Sequence, residues 1–190
     1  MLKLRYMVEH NDALFVSDNE NRLYTSTNAT QWSEITYDNS TLSIYSLLFS
    51  LNKKLYAIAK NETAYRLVES EDGATWTEIG TLPENKGVKF PVNDYAVLQF
   101  KSPKNNPKIL IVGGYDEDGA LKQGNWSTLD GKEWFLLRNN SMGAIHNAAL
   151  VQYDGKFLLF GAMQADGSIV DLQESKNEGL TWSIPDSTYN

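Results

Sequence analysis

Apolar residues along this 190-residue chain come in short runs, each bounded by polar turn residues, and the order of the runs repeats. One class of run precedes a tight polar turn: Ser46-Leu47-Leu48-Phe49-Ser50, Tyr95-Ala96-Val97-Leu98-Gln99-Phe100 and Ala148-Ala149-Leu150-Val151-Gln152-Tyr153, with a weaker copy at Leu4-Arg5-Tyr6-Met7-Val8. A second class follows the turn: Ala13-Leu14-Phe15-Val16, Leu55-Tyr56-Ala57-Ile58-Ala59, Ile109-Leu110-Ile111-Val112 and Phe157-Leu158-Leu159-Phe160. Short runs rich in β-branched and aromatic residues and flanked by Gly, Asn and Asp read as strands. A third strand follows another polar turn, as in Arg22-Leu23-Tyr24-Thr25 and Tyr65-Arg66-Leu67-Val68-Glu69, and a fourth begins at a tryptophan. No stretch sustains a 3.6-residue period, so almost no helix is expected.

The third and fourth strands are joined by a recurring phrase of hydroxyl residue, spacer, Asp or Asn, small residue and closing Trp. Its copies are Ser26-Thr27-Asn28-Ala29-Thr30-Gln31-Trp32, Ser70-Glu71-Asp72-Gly73-Ala74-Thr75-Trp76, Thr128-Leu129-Asp130-Gly131-Lys132-Glu133-Trp134 and Ser175-Lys176-Asn177-Glu178-Gly179-Leu180-Thr181-Trp182. These tryptophans stand 44, 58 and 48 residues apart. Self-similarity at that period marks a repeat architecture. The pattern predicts one all-β domain of four modules, about 4–44, 45–93, 94–145 and 146–190, each a four-stranded antiparallel sheet. A lone four-stranded sheet cannot bury both faces, and radial stacking into a β-propeller is the usual solution.

Composition narrows the partners. A net charge of −7 and an isoelectric point near 4.8 repel phosphate backbones, so no nucleic acid is expected. With no cysteine, disulfides, thiolate metal sites and cysteine nucleophiles are excluded. The apolar runs are strand-sized, well short of the roughly 20 residues that span a bilayer. Met1-Leu2-Lys3-Leu4-Arg5-Tyr6 lacks the apolar core and small-residue cleavage site of a signal peptide. The chain is therefore read as an internal protein or a trimmed form of an exported one.

The phrase resembles the Asp box of the bacterial neuraminidase repeat, matched best from Ser175 to Trp182. In that family the box is structural and lies away from the usual active site. Its copies at Ser26, Asn28, Trp32, Ser70, Asp72, Gly73, Trp76, Thr128, Asp130, Gly131, Trp134, Ser175, Asn177, Gly179 and Trp182 are accordingly read as hairpin fasteners. Asp or Asn bonds turn amides and Gly supplies a positive φ, while the Trp is expected to return between sheets. Val112-Gly113-Gly114, with Tyr115, Trp126 and Trp134 after it, resembles a Kelch repeat, and Phe160-Gly161 is a half-match. The mixture resembles exported propellers of gut Bacteroidetes labelled galactose-oxidase-like.

Candidate chemistries thin out on inspection. Asp116-Glu117-Asp118-Gly119 looks like part of a calcium loop, but it aligns with polar turns at Asp18, Asn61 and Asp166, so no metal is assigned. A copper radical oxidase needs a Cys–Tyr crosslink and His ligands, and only His10 and His146 exist. A sialidase needs three converging arginines, and only Arg5, Arg22, Arg66 and Arg138 are present. No carboxylate pair stands out for glycoside hydrolysis. The five Asn-x-Ser/Thr sequons, at Asn28, Asn39, Asn61, Asn125 and Asn139, follow from an Asn- and Ser-rich chain. The expectation is a non-catalytic, cofactor-free binding module of an exported bacterial protein, in the periplasm or at the cell surface. It would recognise a glycan or a protein through loops between modules, at Tyr37, Phe90, Tyr115, Asp116, His146 and Gln164. Two alternatives stand beside it: a glycoside hydrolase or lyase with carboxylates near the propeller axis, and a structural piece of a larger propeller. In the last case a second copy or missing blades would be the partner.

Overall fold

The computed structural model describes residues 4–37, 43–102, 106–137 and 142–185. Among them there is no helix, as the periodicity predicts. The first sheet holds β1 (Leu4–His10), β2 (Ala13–Asp18), β3 (Leu23–Ser26) and β4 (Ser33–Ile35). The second holds β5 (Ser43–Leu51), β6 (Lys54–Lys60), β7 (Tyr65–Ser70) and β8 (Thr77–Thr81). A two-stranded hairpin, β9 (Glu84–Asn85) and β10 (Val88–Lys89), follows and has no counterpart in the repeat. The third sheet holds β11 (Ala96–Lys101), β12 (Pro107–Val112), β13 (Asn125–Thr128) and β14 (Phe135–Leu137). The fourth holds β15 (Ala149–Tyr153), β16 (Lys156–Phe160) and β17 (Gln173–Ser175). Strands within each sheet are antiparallel and in chain order.

The fourth sheet departs from the four-strand expectation. Where a fourth strand would pair, only Ser183 bridges Glu174, through mutual backbone bonds of 2.8 and 3.0 Å. Pro185 stands two residues on, and proline cannot donate to a ladder.

The chain divides into two compact units, Met1–Leu82 with Asp130–Lys132, and Pro83–Leu129 with Glu133–Asn190. In the first, Phe15 and Leu23 of the first sheet meet Ile44, Leu55, Ala57, Ala59 and Val68 of the second. In the second unit, Ala96, Phe100, Leu110 and Val112 of the third sheet meet Leu150, Phe157 and Leu159 of the fourth, with Trp182 beside them. Residues two apart on a strand share a face, and these sets follow that period. Each core is therefore one face of a sheet laid on the opposite face of the next.

The four phrases build one turn. In the second sheet the Ser70 hydroxyl donates to Asp72 Oδ1 at 3.0 Å and accepts from the Gly73 amide at 2.8 Å. Asp72 Oδ1 accepts from the amides of Ala74 and Thr75, at 2.8 and 2.7 Å. Asn28 Oδ1 does the same for Thr30 and Gln31, at 3.0 and 2.9 Å, and Asn177 Oδ1 accepts from Thr181. Asp130 Oδ1 takes the Lys132 amide. Trp76 and Trp182 each donate their indole N–H to the carbonyl of the phrase glycine, at 2.8 and 3.2 Å. Burial of the ring is narrower than expected: Trp182 is buried, whereas Trp32, Trp76 and Trp134 are half-buried. The indole bond to the turn is compatible with both placements, since Trp182 makes it from within the core and Trp76 from its rim.

The glycine goes deepest. Gly73, Gly131 and Gly179 are buried, with φ of 76°, 81° and 84°. A Cβ on Gly73 would lie 2.6 Å from Phe15 Cε1, on Gly131 2.5 Å from Tyr56 Cε1, and on Gly179 2.6 Å from Leu110 Cδ2. Those three side chains occupy one register position, paired with the residue just before the hydroxyl of each phrase: Phe15 with Thr25, Tyr56 with Glu69, Leu110 with Ser127. In the first phrase Ala29 holds the same backbone conformation, φ 58°, and is exposed.

Two predictions follow from the turn. Gly179→Ala combines a left-handed alanine, about 1–2 kcal/mol, with a methyl forced into Leu110, about 1–3 kcal/mol. Ala29→Gly is expected to be neutral or to stabilise by about 0.5–1 kcal/mol, the left-handed penalty less glycine's entropic cost. Urea denaturation of both variants checks this, and a Gly179→Ala cost below that of an ordinary surface change would defeat the close-packing account.

Asp72 carries the pH prediction. The Thr75 amide draws its carboxyl below the ordinary carboxylate range, burial pushes it back up, and the Ala74 amide with the hydroxyls of Ser70 and Thr75 lowers it again. Because the folded value is the lower one, this stabilisation is present above the unfolded value, near pH 3.9, and is lost as pH falls through the folded value. Asp72→Asn, the residue of the first and fourth phrases, is expected to be somewhat less stable at neutral pH and level with the parent in strong acid. Melting curves from pH 7 down to pH 2 give the comparison, and a constant offset between the two proteins would contradict it.

Candidate functional site

The phrases and the loops lie at opposite ends of each sheet. β12 enters at Pro107 beside the phrase of its own sheet, Ile109 pairing with Thr128, and leaves at Val112 into the loop Gly113-Gly114-Tyr115. Gly113 and Gly114 take φ of 68° and 98°. The Gly114 amide bonds the Ile145 carbonyl at 2.8 Å, and a Cβ on Gly114 would lie 2.6 Å from the Asn93 carbonyl oxygen. The double glycine lets one loop run against two neighbouring segments.

Those segments bring together two candidate rings. Tyr115 pairs through its backbone with Asn93 and Leu121, and His146 with Met163. The same arrangement thus occurs twice, Asn93 before Asp94 (φ 53°) and His146 before Asn147 (φ 55°). The rings of Tyr115 and His146 lie 5.0 Å apart, tilted by 55°. Both residues are half-buried, and His146 Nδ1 is enclosed without a hydrogen-bond partner.

Asp116 and Gln164 begin the turns beside these rings and serve the backbone. Asp116 Oδ1 accepts from the amides of Asp118 and Ala120, at 3.0 and 2.9 Å, and Oδ2 lies 3.5 Å from Lys122 Nζ. Asp18 does likewise for Glu20 and Arg22, and Asn61 for Thr63 and Ala64. The acidic run Asp116-Glu117-Asp118 is a turn of this kind, with Glu117 and Asp118 paired to Lys89. Gln164 Nε2 donates to the Met142 carbonyl, and its Oε1 accepts from Ser168. Among the described residues no group of three or more His, Asp or Glu is placed to hold a metal ion.

The remaining two candidates are elsewhere. Phe90 is 1 % exposed, against Trp126 and Trp134 at 5.6 and 4.7 Å, so neither ring face meets solvent. Tyr37 belongs to the first unit, where its hydroxyl donates to the Asn21 carbonyl and accepts from the Ile44 amide. His10 is buried between Ser50 and the Glu71 carbonyl. Arg22 pairs with Asp18, Arg66 with Glu78, and Arg5 lies over the rings of Tyr6 and Tyr45. Arg138, Asn39 and Asn139 lie outside the described residues.

Two buried glutamates, each met by a pair of partly exposed lysines, give no local signal in the sequence. Glu69 bonds Lys54 at 2.6 Å, with Lys132 3.6 Å away, and Glu174 contacts Lys156 and Lys176 at 3.3 and 2.9 Å. Burial raises the Glu69 carboxyl, and the two lysines outweigh it and leave it below its ordinary value. Lys54 with Lys156, and Glu69 with Glu174, are equivalent repeat positions, so aligning the modules position by position exposes the pair. A cavity of about 250 Å³ opens beside it, lined by Lys54, Glu69, Ser70, Glu71, Asp72, Thr75 and Thr77. A second, of about 430 Å³, is lined by Gln99, Phe100, Lys101, Pro107 and Gln152. Neither is lined by any of the six candidate residues.

Comparison with known proteins fits the architecture. No curated protein matches the chain in sequence. An ancestral GH74 enzyme superposes with a TM-score of 0.57 at 16% identity, over 98% of this chain and 24% of its own. YjhT superposes with a TM-score of 0.64 at 14% identity, over 100% of this chain and 67% of its own. The chain thus spans about a quarter of the GH74 enzyme's length and two thirds of YjhT's. At such identities the likeness is one of fold. With four antiparallel sheets in consecutive order, and a family match running from residue 2 to residue 190, the chain belongs to the DUF6242 beta propeller domain family.

Proposed function

We propose that this propeller domain is a non-catalytic binding module of an exported bacterial protein, and that it takes a glycan at the loop end of its second unit. The observation that carries this reading is the half-buried Tyr115–His146 ring pair, 5.0 Å between centroids, at that loop end. Rings held at a loop end offer a stacking platform for the apolar face of a sugar. Loops on a rigid scaffold are where such recognition concentrates. Export rests on the Asp-box and Kelch-like features, which resemble those of exported propellers.

The alternative, a glycoside hydrolase or lyase, needs two carboxylates facing one space. The carboxylate next to the ring pair, Asp116, is committed to two turn amides and faces Lys122. That favours recognition over hydrolysis at this position.

A glycan array followed by titration calorimetry on the hit tests the reading. Tyr115→Ala and His146→Ala are each expected to weaken binding about tenfold or more, equivalent to roughly 1.4 kcal/mol, with the fold intact by circular dichroism. A blank array with folded protein, or full affinity in both variants, would remove the proposal.

A further inference from the structure

In three places a phrase glycine closes over the central side chain of a second strand: Gly73 over Phe15, Gly131 over Tyr56, Gly179 over Leu110. The fourth sheet has the same position. Leu158 pairs with Glu174, the residue before Ser175, as Leu110 pairs with Ser127 before Thr128. No described phrase lies over it.

The register extends the match across the whole face. In the third sheet Ala96 pairs with Val112, Leu98 with Leu110 and Phe100 with Lys108. In the fourth, Ala149 pairs with Phe160, Val151 with Leu158 and Tyr153 with Lys156. The third-sheet set is core, its Ala96, Phe100, Leu110 and Val112 all buried against the fourth sheet. Its counterparts face outward, with Val151 39 %, Phe160 45 % and Tyr153 68 % exposed. Contiguous apolar residues on one sheet face mark an interaction surface.

We infer that the outer face of β15 and β16 is a socket for a further sheet of the same repeat, supplied by the polypeptide that carries this domain and closing a phrase glycine over Leu158. The occupant follows from continuity with the two sheet-on-sheet cores and the three glycine closures already built. A second copy does not fit, because its exposed phrase carries Ala29, and a Cβ at the three closed positions would stand 2.5–2.6 Å from the capped side chain. This inference does not depend on the Tyr115–His146 pair.

The test adds the occupant. Residues 43–82, the second sheet with its Gly73 phrase, are appended after residue 185, and the product is compared with the 190-residue protein. Oxidative footprinting is expected to show Tyr153 and Phe160 reactive in the parent and protected several-fold in the extended chain. The melting temperature should rise by about 4 °C or more, and Gly73→Leu in the appended copy alone should abolish both changes. An appended sheet that leaves Tyr153 reactive, or fails to fold, overturns the inference. Light scattering of the parent is the independent check. A monomer with reactive Tyr153 is expected, whereas a dimer that Leu158→Glu dissociates would make a second copy the occupant and overturn it.

Discussion

Packing over the second strands rests on a backbone approaching a side chain too closely for any Cβ to lie between them. At Gly73, Gly131 and Gly179 the left-handed conformation and the missing side chain are both required, one by the turn and the other by the neighbour. The hydroxyl, the carboxamide or carboxylate and the indole N–H around each glycine hold it at that depth. Large residues at the capped position, Phe15, Tyr56 and Leu110, gain burial on a side a flat strand would leave open. A turn that would otherwise be only a connection becomes part of the packing between layers.

This constraint also separates scaffold from recognition. Asp72, Asn28 and Asn177 meet the same hydrogen-bonding need at the phrase end, so a neutral acceptor builds the same turn that the carboxylate builds. At the loop end the equivalent positions diverge: Asn93 aligns with His146, and Tyr115 with Met163. Backbone bridges hold each pair whatever the side chains are. The side chains are thereby left free to differ, and a surface for a ligand can be built on them without disturbing the sheets.

Strand order and turn chemistry were legible in the sequence because both are local. A period of two, a Gly-Gly after Val112 and a Trp ending each phrase need no knowledge of distant contacts. What was not legible depends on neighbours. Phe90 reads as an exposed aromatic in a polar stretch, yet Trp126 and Trp134, more than thirty residues on, enclose it. Tyr37 is drawn into a backbone role by Asn21 and Ile44. Trp32, Trp76 and Trp134 were expected inside and are half-buried, whereas Trp182 reaches the core, so how deep each ring goes depends on the neighbouring sheet and not on its own phrase. The Lys54–Glu69 and Lys156–Glu174 pairs were hidden because charge on a strand reads as solvent-facing until the next turn covers it.

The consecutive order of strands in every sheet bears on how the chain folds. All pairings join neighbours along the chain, so each sheet closes only short loops, a route that favours fast formation. Until its neighbour covers it, a sheet exposes the apolar face that forms the core. Such a face is sticky in a crowded compartment. Within each unit the later sheet seals the apolar face of the earlier one, so synthesis from the N-terminus delivers each cover just after the face it protects.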